Sequence, residues 1–495
     1  MTDPILPGFY PDPSICRVGD DYYLATSSFE YFPGAPVFHS TDLLTWTQLG
    51  HAFDRESQLR LEPGGASGGI FAPTLRHHDD RFWLITTNAS QARAGHMILT
   101  AEDPAGPWSD PVFTDELDGI DPDLTWDEDG ACHLTWSCYQ PGLNGIAQVP
   151  IDPVTGRSLG APRLIWGGTG LAWPESPHLY HVEDWWYLLI AEGGTERGHC
   201  ISVARARTID GPFEGAPHNP IFSHRSMNSP VQNAGHGDLV RTADGDWAMV
   251  YLAARPSGIT PGFHVNGRET FLAGIDWVDG WPVVRESRYD VPSIDTSFID
   301  DFSTTDPSPR WISPGPPISS WTSRGPDRGI RLAAAPGDGP DRRLLAVRIR
   351  DAAWTAEAVV DTSTGTGRMV LRLDDHHWCA VVAGEDAVVA ELSIRPGTLE
   401  IGRASRPGTE AITLWMRATV PAPVHNAPVG PDVLELGFTT AGAHVSLGSF
   451  DGRYLSTEVA GGFTGRVVGV SPDSGTVELR SFSYRGDREP IGVSE

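Results

Sequence analysis

Residues 174–192 read PESPHLYHVEDWWYLLIAE, and the pattern in this stretch decides the fold. Leu179 is followed five positions later by Asp184 and then by the apolar run Trp186-Tyr187-Leu188-Leu189. A strand, an Asp-containing turn and a second strand in succession predict a hairpin. The same spacing recurs in the pairs Ile15 and Asp20, Leu75 and Asp80, Leu124 and Asp129, and Leu239 and Asp244. The runs that follow are Tyr22-Tyr23-Leu24, Phe82-Trp83-Leu84-Ile85, His133-Leu134-Thr135-Trp136 and Trp247-Ala248-Met249-Val250-Tyr251. Segments further along each unit, 40–46, 101–108 and 206–213, read as outer strands of the same units. A unit of about fifty to sixty residues with four short strands cannot bury both of its faces alone, so radial packing of five sheets is the natural solution. We therefore expect an all-β protein with a five-bladed β-propeller over residues 1–296.

Composition agrees with this architecture. Among 495 residues, 55 glycines and 42 prolines favour short strands and tight turns over long helices. The hairpin register ends after Asp290, and a stretch rich in Pro, Ser and Gly follows at 307–317. Beyond it, segments 344–349, 356–360, 369–373, 380–382 and 467–470 alternate or run apolar at strand length. Residues 297–495 are therefore expected to form a β-sandwich, without an acidic cluster that reads as catalytic.

The formal charge of −28, from 64 acidic and 36 basic side chains, repels polyanions and anionic membrane surfaces, which argues against nucleic acid and membrane partners. No lysine occurs, which excludes Schiff-base and phosphate-loop lysine chemistry. A neutral sugar fits better. Five cysteines without paired spacing argue against a disulfide framework or zinc site and for a reducing compartment. The N-terminal residues lack a signal-peptide pattern, and no apolar run approaches the roughly 20 residues that span a bilayer. The expected location is cytoplasmic.

The inner strand of each blade starts beside the central channel, so equivalent positions ahead of each repeat anchor should converge. Three positions before the anchors stand Asp12, Ala72, Asp121, Ser176 and His236, with Glu175 adjacent in the fourth unit. Three carboxyls and a histidine then share one funnel. Crowded like charges keep one carboxyl protonated while another is ionised, which is what hydrolysis of a glycosidic bond requires. Taken singly, Asp12 before Pro13 and Asp121 before Pro122 would read as ordinary turn residues; their matching repeat positions argue otherwise.

Several ordered motifs carry a family resemblance: Gly8-Phe9-Tyr10-Pro11-Asp12-Pro13-Ser14, residues 27–34, Gly119-Ile120-Asp121-Pro122, residues 174–180, Ala191-Glu192-Gly193-Gly194-Thr195 and Gly267-Arg268-Glu269-Thr270. On these the sequence resembles glycoside hydrolase family 43 of the β-xylosidase and α-L-arabinofuranosidase type, over both domains. The resemblance implies a general base at Asp12, a general acid at Glu175 and a pKa-tuning carboxylate at Asp121. It implies an inverting, exo-acting enzyme that releases terminal xylose or arabinose from xylo- or arabino-oligosaccharides. Phe29, Phe71, Thr195, His236 and Arg268 are its implied substrate-binding residues. Phe71 stands where relatives commonly carry Trp, and Ser176 where many carry Gly. The C-terminal domain is implied to be a concanavalin-like jelly roll that narrows the pocket.

No cofactor is required on this reading, and a structural or channel-bound Ca2+ near His236 stays open, as does a homo-oligomer. Two rivals are a carbohydrate-binding propeller without catalysis, which should lack one of the three acids, and a retaining five-bladed glycosidase, with carboxyls about 5–5.5 Å apart rather than about 6.5–9.5 Å. Gly65-Ala66-Ser67-Gly68-Gly69 satisfies a serine-hydrolase pattern, but a β-type segment follows where a helix is required, so it reads as a flexible loop. The doublets His77-His78 and His376-His377 read as exposed turn residues, because strand neighbours point to opposite faces.

Overall fold

In the computed structural model, each of the five hairpins opens one antiparallel sheet. The structure describes residues 3–61, 66–304, 307–325, 328–335, 343–406, 408, 411–422, 429–440 and 442–487. Blade I comprises Ser14–Val18, Asp21–Ala25, Gly34–Ser40 and Thr47–Phe53. Blade II comprises Thr74–His78, Arg81–Thr86, Met97–Ala101 and Val112–Phe113. Blade III comprises Gly119–Trp126, Cys132–Cys138 and Gly145–Asp152, edged by Arg157–Ser158 and Arg163–Trp166. Blade IV comprises Glu175–Val182, Trp185–Glu192, Cys200–Ala206 and Glu214–Gly215. Blade V comprises Gln232–Arg241, Trp247–Ala254, Glu269–Val278 and Trp281–Arg285.

The apolar runs have a physical reason. Alternate residues of a strand face opposite sides, and here both sides are covered by neighbouring blades. In the run 186–190, Trp186, Leu188 and Ile190 pack toward blade III, while Tyr187 and Leu189 pack toward blade V. Equivalent apolar packets lie between blades I and II, II and III, and V and I. The segments expected as outer strands are instead the turns that precede them. Asp42 Oδ1 accepts from Leu44 and Thr45 N at 2.8 and 2.7 Å, and Asp103 Oδ1 from Ala105 N at 2.8 Å, so their side chains satisfy a turn rather than a ladder.

Each blade is contiguous in sequence, so the ring closes without an exchanged strand. Blade I meets blade V through Gly8 N donating to Glu269 Oε1 at 2.8 Å, Thr270 Oγ1 donating to the Tyr10 carbonyl at 2.5 Å, and a bridge between Leu6 and Thr270.

The chain divides into two units, one of Met1–Gly64, Gly68–Ala254 and Arg268–Pro292, the other of Gly65–Ser67, Arg255–Gly267 and Ser293–Glu495. In the second unit Trp354–Arg372 and Val467–Gly486 pair along most of their length. Trp354, Ala356, Ala358 and Val360 alternate inward to build the sandwich core, the period-2 pattern of a half-buried strand. Arg466 and Asp432 form an ion pair inside this unit, completed by the Leu455 and Gly452 carbonyls.

Of the histidine doublets, His376 is exposed in a turn as expected, while His77 and His78 lie on the strand Thr74–His78 and His377 is buried. His78 stacks on Trp126 at 4.3 Å, and buried His377 bonds the Asp374 carboxylate at 2.9 Å, because flanking aromatic and acidic side chains give each ring a partner. Of the serine-hydrolase pattern, Gly65 lies outside the described residues, while Ser67 Oγ accepts from Phe463 N at 2.8 Å.

Candidate active site

The inner strands do not enter the blades smoothly. Pairing slips by one residue between Ile120 and Asp123 in blade III, Glu175 and His178 in blade IV, and Gly235 and Asp238 in blade V. Each slip is a bulge, which re-aims a side chain that would otherwise follow the pleat. The residue at the bulge takes left-handed backbone, with φ 54° at Asp121, 52° at Ser176 and 49° at His236, and Asp12 holds the matching place in blade I with φ 56°. A non-glycine residue there costs on the order of 1–3 kcal/mol and persists where surrounding structure enforces it. Ala72, the counterpart in blade II, stays on the ordinary side of φ and offers a methyl group.

The bulges bring together side chains far apart in sequence. Asp12 Oδ1 accepts from Arg268 Nη1 at 3.0 Å and lies 3.6 Å from His236 Nδ1, while its Oδ2 accepts from Ser27 Oγ at 2.5 Å. Asp121 Oδ2 accepts from Ser176 N at 3.1 Å, tying blade III to the bulge of blade IV. Glu175 Oε1 accepts from the Tyr139 hydroxyl at 3.0 Å. Arg268 Nη1 also donates to Thr195 Oγ1 at 3.0 Å, and the guanidinium carbon lies 5.7 Å from the Phe29 ring. Phe29 and Phe71 meet edge to face at 5.5 Å, Phe29 buried and Phe71 partly exposed.

These surroundings split the carboxyls. Burial by itself would raise Asp12, but Arg268, His236 and the Ser27 hydroxyl outweigh it and hold the carboxyl below its ordinary value. Asp121 is pushed well above the ordinary range by burial and by the charges of Glu175 and Asp12. Glu175 is raised by burial and by Asp12, against the opposing bond from Tyr139. Burial lowers His236 to about 3 and His199 to about 4, so both rings are neutral at pH 7. Three carboxyls thus gather with one permanent cation, and two of them, Asp121 and Glu175, hold their protons more tightly than an ordinary carboxyl.

Two residues further along the inner strands of blades I, III, IV and V stand Ser14, Asp123, His178 and Asp238, and Arg76, four residues past Ala72 in blade II, joins them in a second ring. Arg76 of blade II reaches Asp238 of blade V at 2.8 Å, Asp123 of blade III at 3.0 Å and His178 Nδ1 of blade IV at 3.0 Å. Because arginine only donates, that imidazole nitrogen accepts. Ser14 Oγ of blade I donates to Asp238 Oδ2 at 2.7 Å, and the Tyr180 hydroxyl donates to Asp238 Oδ1 at 2.5 Å, so every blade contributes to this buried network.

Asp12, Asp121, Glu175, His236, Arg268, Thr195 and Phe29 are therefore in one constellation, with Phe71 against its aromatic edge. Sequence reasoning missed Ser27, Tyr139 and His199. Ser27 opens a motif already singled out, but nothing in its spacing points to Asp12, and Tyr139 reaches Glu175 from the end of a strand in another blade. The site's fit to a calcium ion can be tested on its donors. Ca2+ takes six to eight oxygen ligands. Among the described residues no group of three or more His, Cys, Asp or Glu side chains gathers as a metal site, and the nearest charged neighbour of the Asp12–His236 pair is the Arg268 cation.

Fold and site together define a class: five-bladed β-propellers that gather carboxyls of divided protonation at the starts of their inner strands, the requirement of acid–base glycosidases. Residues 1–282 match the model for glycosyl hydrolases family 43, residues 299–476 match the beta xylosidase C-terminal concanavalin A-like domain, and the chain belongs to that family. A xylosidase/arabinosidase of Butyrivibrio fibrisolvens is 50% identical over 296 residues, 57% of this chain and 56% of that relative's length. The non-reducing end alpha-L-arabinofuranosidase of Bacteroides ovatus is 34% identical over 95% of this chain and 90% of its own. Among solved structures, a xylan beta-1,4-xylosidase from Bacillus halodurans superposes with a TM-score of 0.86 at 28% identity, covering 98% of this chain and 100% of that one.

Proposed function

We propose that this chain is an inverting, exo-acting glycosidase that removes terminal xylose or arabinose from xylo- or arabino-oligosaccharides. The observation that carries the reading is the convergence of Asp12, Asp121 and Glu175 at the starts of inner strands of one propeller, with Asp12 shifted below and Glu175 above the ordinary value. Asp12, kept ionised by Arg268, takes a proton from the water that attacks the anomeric carbon. Glu175, kept protonated by burial and its acidic neighbours, gives its proton to the departing glycosidic oxygen. Asp121 shares that proton in the resting state and holds the sugar. Arg268, Thr195 and His236 orient the ring, and Phe29 and Phe71 cover its C–H face. The chemistry runs on side-chain proton transfer, and no step passes through a cofactor or an ion beside His236. The five cysteines, unpaired and buried, support a reducing compartment such as the cytoplasm.

The test is a paired assay with an aryl β-D-xylopyranoside and an aryl α-L-arabinofuranoside, reading the first-formed anomer by NMR. One substrate should turn over with inversion. Glu175→Ala should lose about 10²–10⁴-fold on natural oligosaccharides and far less on activated aryl leaving groups. A retained anomer would replace the inverting reading, and equal activity of variant and wild type on oligosaccharides would remove Glu175 from its role.

A further inference from the structure

Trp173 stands two residues before Glu175 and contributes little to the core, since 60% of it is exposed. Its backbone is nevertheless held at φ 54°, a conformation that bulky residues rarely adopt. The loop that presents it is clamped from the neighbouring strand. Fully buried Glu192 accepts from Thr169 N and Thr169 Oγ1, both at 2.8 Å, and Gly193 N donates to the Ala172 carbonyl at 2.7 Å. Gly193 itself, with φ 89°, admits no side chain, because a Cβ would come within 2.1 Å of the Gly198 carbonyl oxygen. The indole packs edge-on against Tyr139 at 6.2 Å, and Tyr139 is the residue that donates to Glu175 Oε1.

An exposed, strained and clamped aromatic beside a proton donor is placed for a ligand rather than for folding. If Glu175 delivers its proton to the glycosidic oxygen, the group on the far side of that oxygen departs along the Glu175 side of the site. We propose that Trp173, backed by Tyr139, is the platform on which the ring of the departing saccharide lies, its C–H face on the indole. The platform makes the enzyme favour leaving groups with a sugar ring in that position. This inference rests on the glycosidase reading and adds where the leaving group binds.

The experiment compares two substrates with the same terminal sugar, a disaccharide and the corresponding glycosyl fluoride, whose leaving group is too small to reach the indole. Trp173→Ala should lower kcat/KM on the disaccharide by about tenfold, the scale of one lost aromatic contact, and leave the fluoride within about twofold of wild type. Trp173→Phe should recover most of the disaccharide activity. Unchanged disaccharide activity in Trp173→Ala overturns the proposal. So does an equal loss on both substrates that Trp173→Phe fails to relieve, which would assign Trp173 to the fold or to the terminal sugar. A wild type inactive on both substrates sinks the glycosidase reading itself, a different result from either.

Discussion

Two carboxylate layers lie one behind the other on the inner strands, and they behave differently. In the bulge layer, Asp12, Asp121 and Glu175 share Arg268, and two of the three carboxyls are raised. In the layer two residues on, Asp123 and Asp238 straddle Arg76 and are surrounded by donors: Ser14, Ile15 N and Tyr180 for Asp238, Thr125 and Leu179 N for Asp123. Burial would raise Asp238, yet Arg76 and its other neighbours hold it well below the usual carboxylate range. Both layers are buried, so burial does not separate them. The ratio of donors and cations to carboxyls does: Asp238 of the second layer is lowered by its cation and donors, while Asp121 and Glu175 of the bulge layer are raised. A retained proton is what an acid catalyst needs.

The comparison can be broken most severely at Arg76. Arg76→Met leaves Asp123 and Asp238 buried without their cation, and should cost about 3–5 kcal/mol of stability in urea unfolding at pH 7. The sign with pH is fixed by Asp238. Because its folded value lies below its unfolded one, its contribution is present above the ordinary carboxylate range and is lost as pH falls through the folded value. The gap between wild type and Arg76→Met should therefore narrow on acidification. A gap that widens would show that the layer is not held by charge.

A smaller effect is expected at Asp121. Asp121→Asn removes the like charge with which Glu175 shares its proton, so Glu175 should ionise at lower pH. The alkaline limb of kcat/KM should move toward acid and the maximum should fall by about 10²-fold. An unmoved limb would uncouple the two carboxyls. The smallest change is expected at Tyr139. Its hydrogen bond opposes the rise at Glu175, so Tyr139→Phe should move the alkaline limb toward higher pH, with kcat changed by less than about tenfold, the scale of a single hydrogen bond of about 1 kcal/mol.

The hairpin repeat was legible because both faces of each second strand are buried, which writes apolar runs such as Trp186-Tyr187-Leu188-Leu189 into the sequence. The acids were legible because the bulges recur at the same step before each repeat anchor. Glu175 shows the limit of that rule. It precedes its bulge residue, Ser176, whose backbone N–H instead holds Asp121. The expected outer strands were misplaced because Asp-containing turns and edge strands share apolar residues such as Leu43, Trp46 and Trp108, and a side-chain bond to the next backbone amides is not visible as periodicity.

Local pattern by itself determined the number of blades, the sandwich that follows and the three acids, since strand period, turn chemistry and repeat spacing are properties of neighbours along the chain. Tertiary structure alone decided which carboxyl is lowered and which two are raised. That depends on Arg268 and Tyr139 arriving from other blades and on Ser27 folding back onto Asp12 within blade I, and on a second ring in which Arg76 meets partners from four blades. Electrostatic balance is set by distance through space, and no spacing along the chain encodes it.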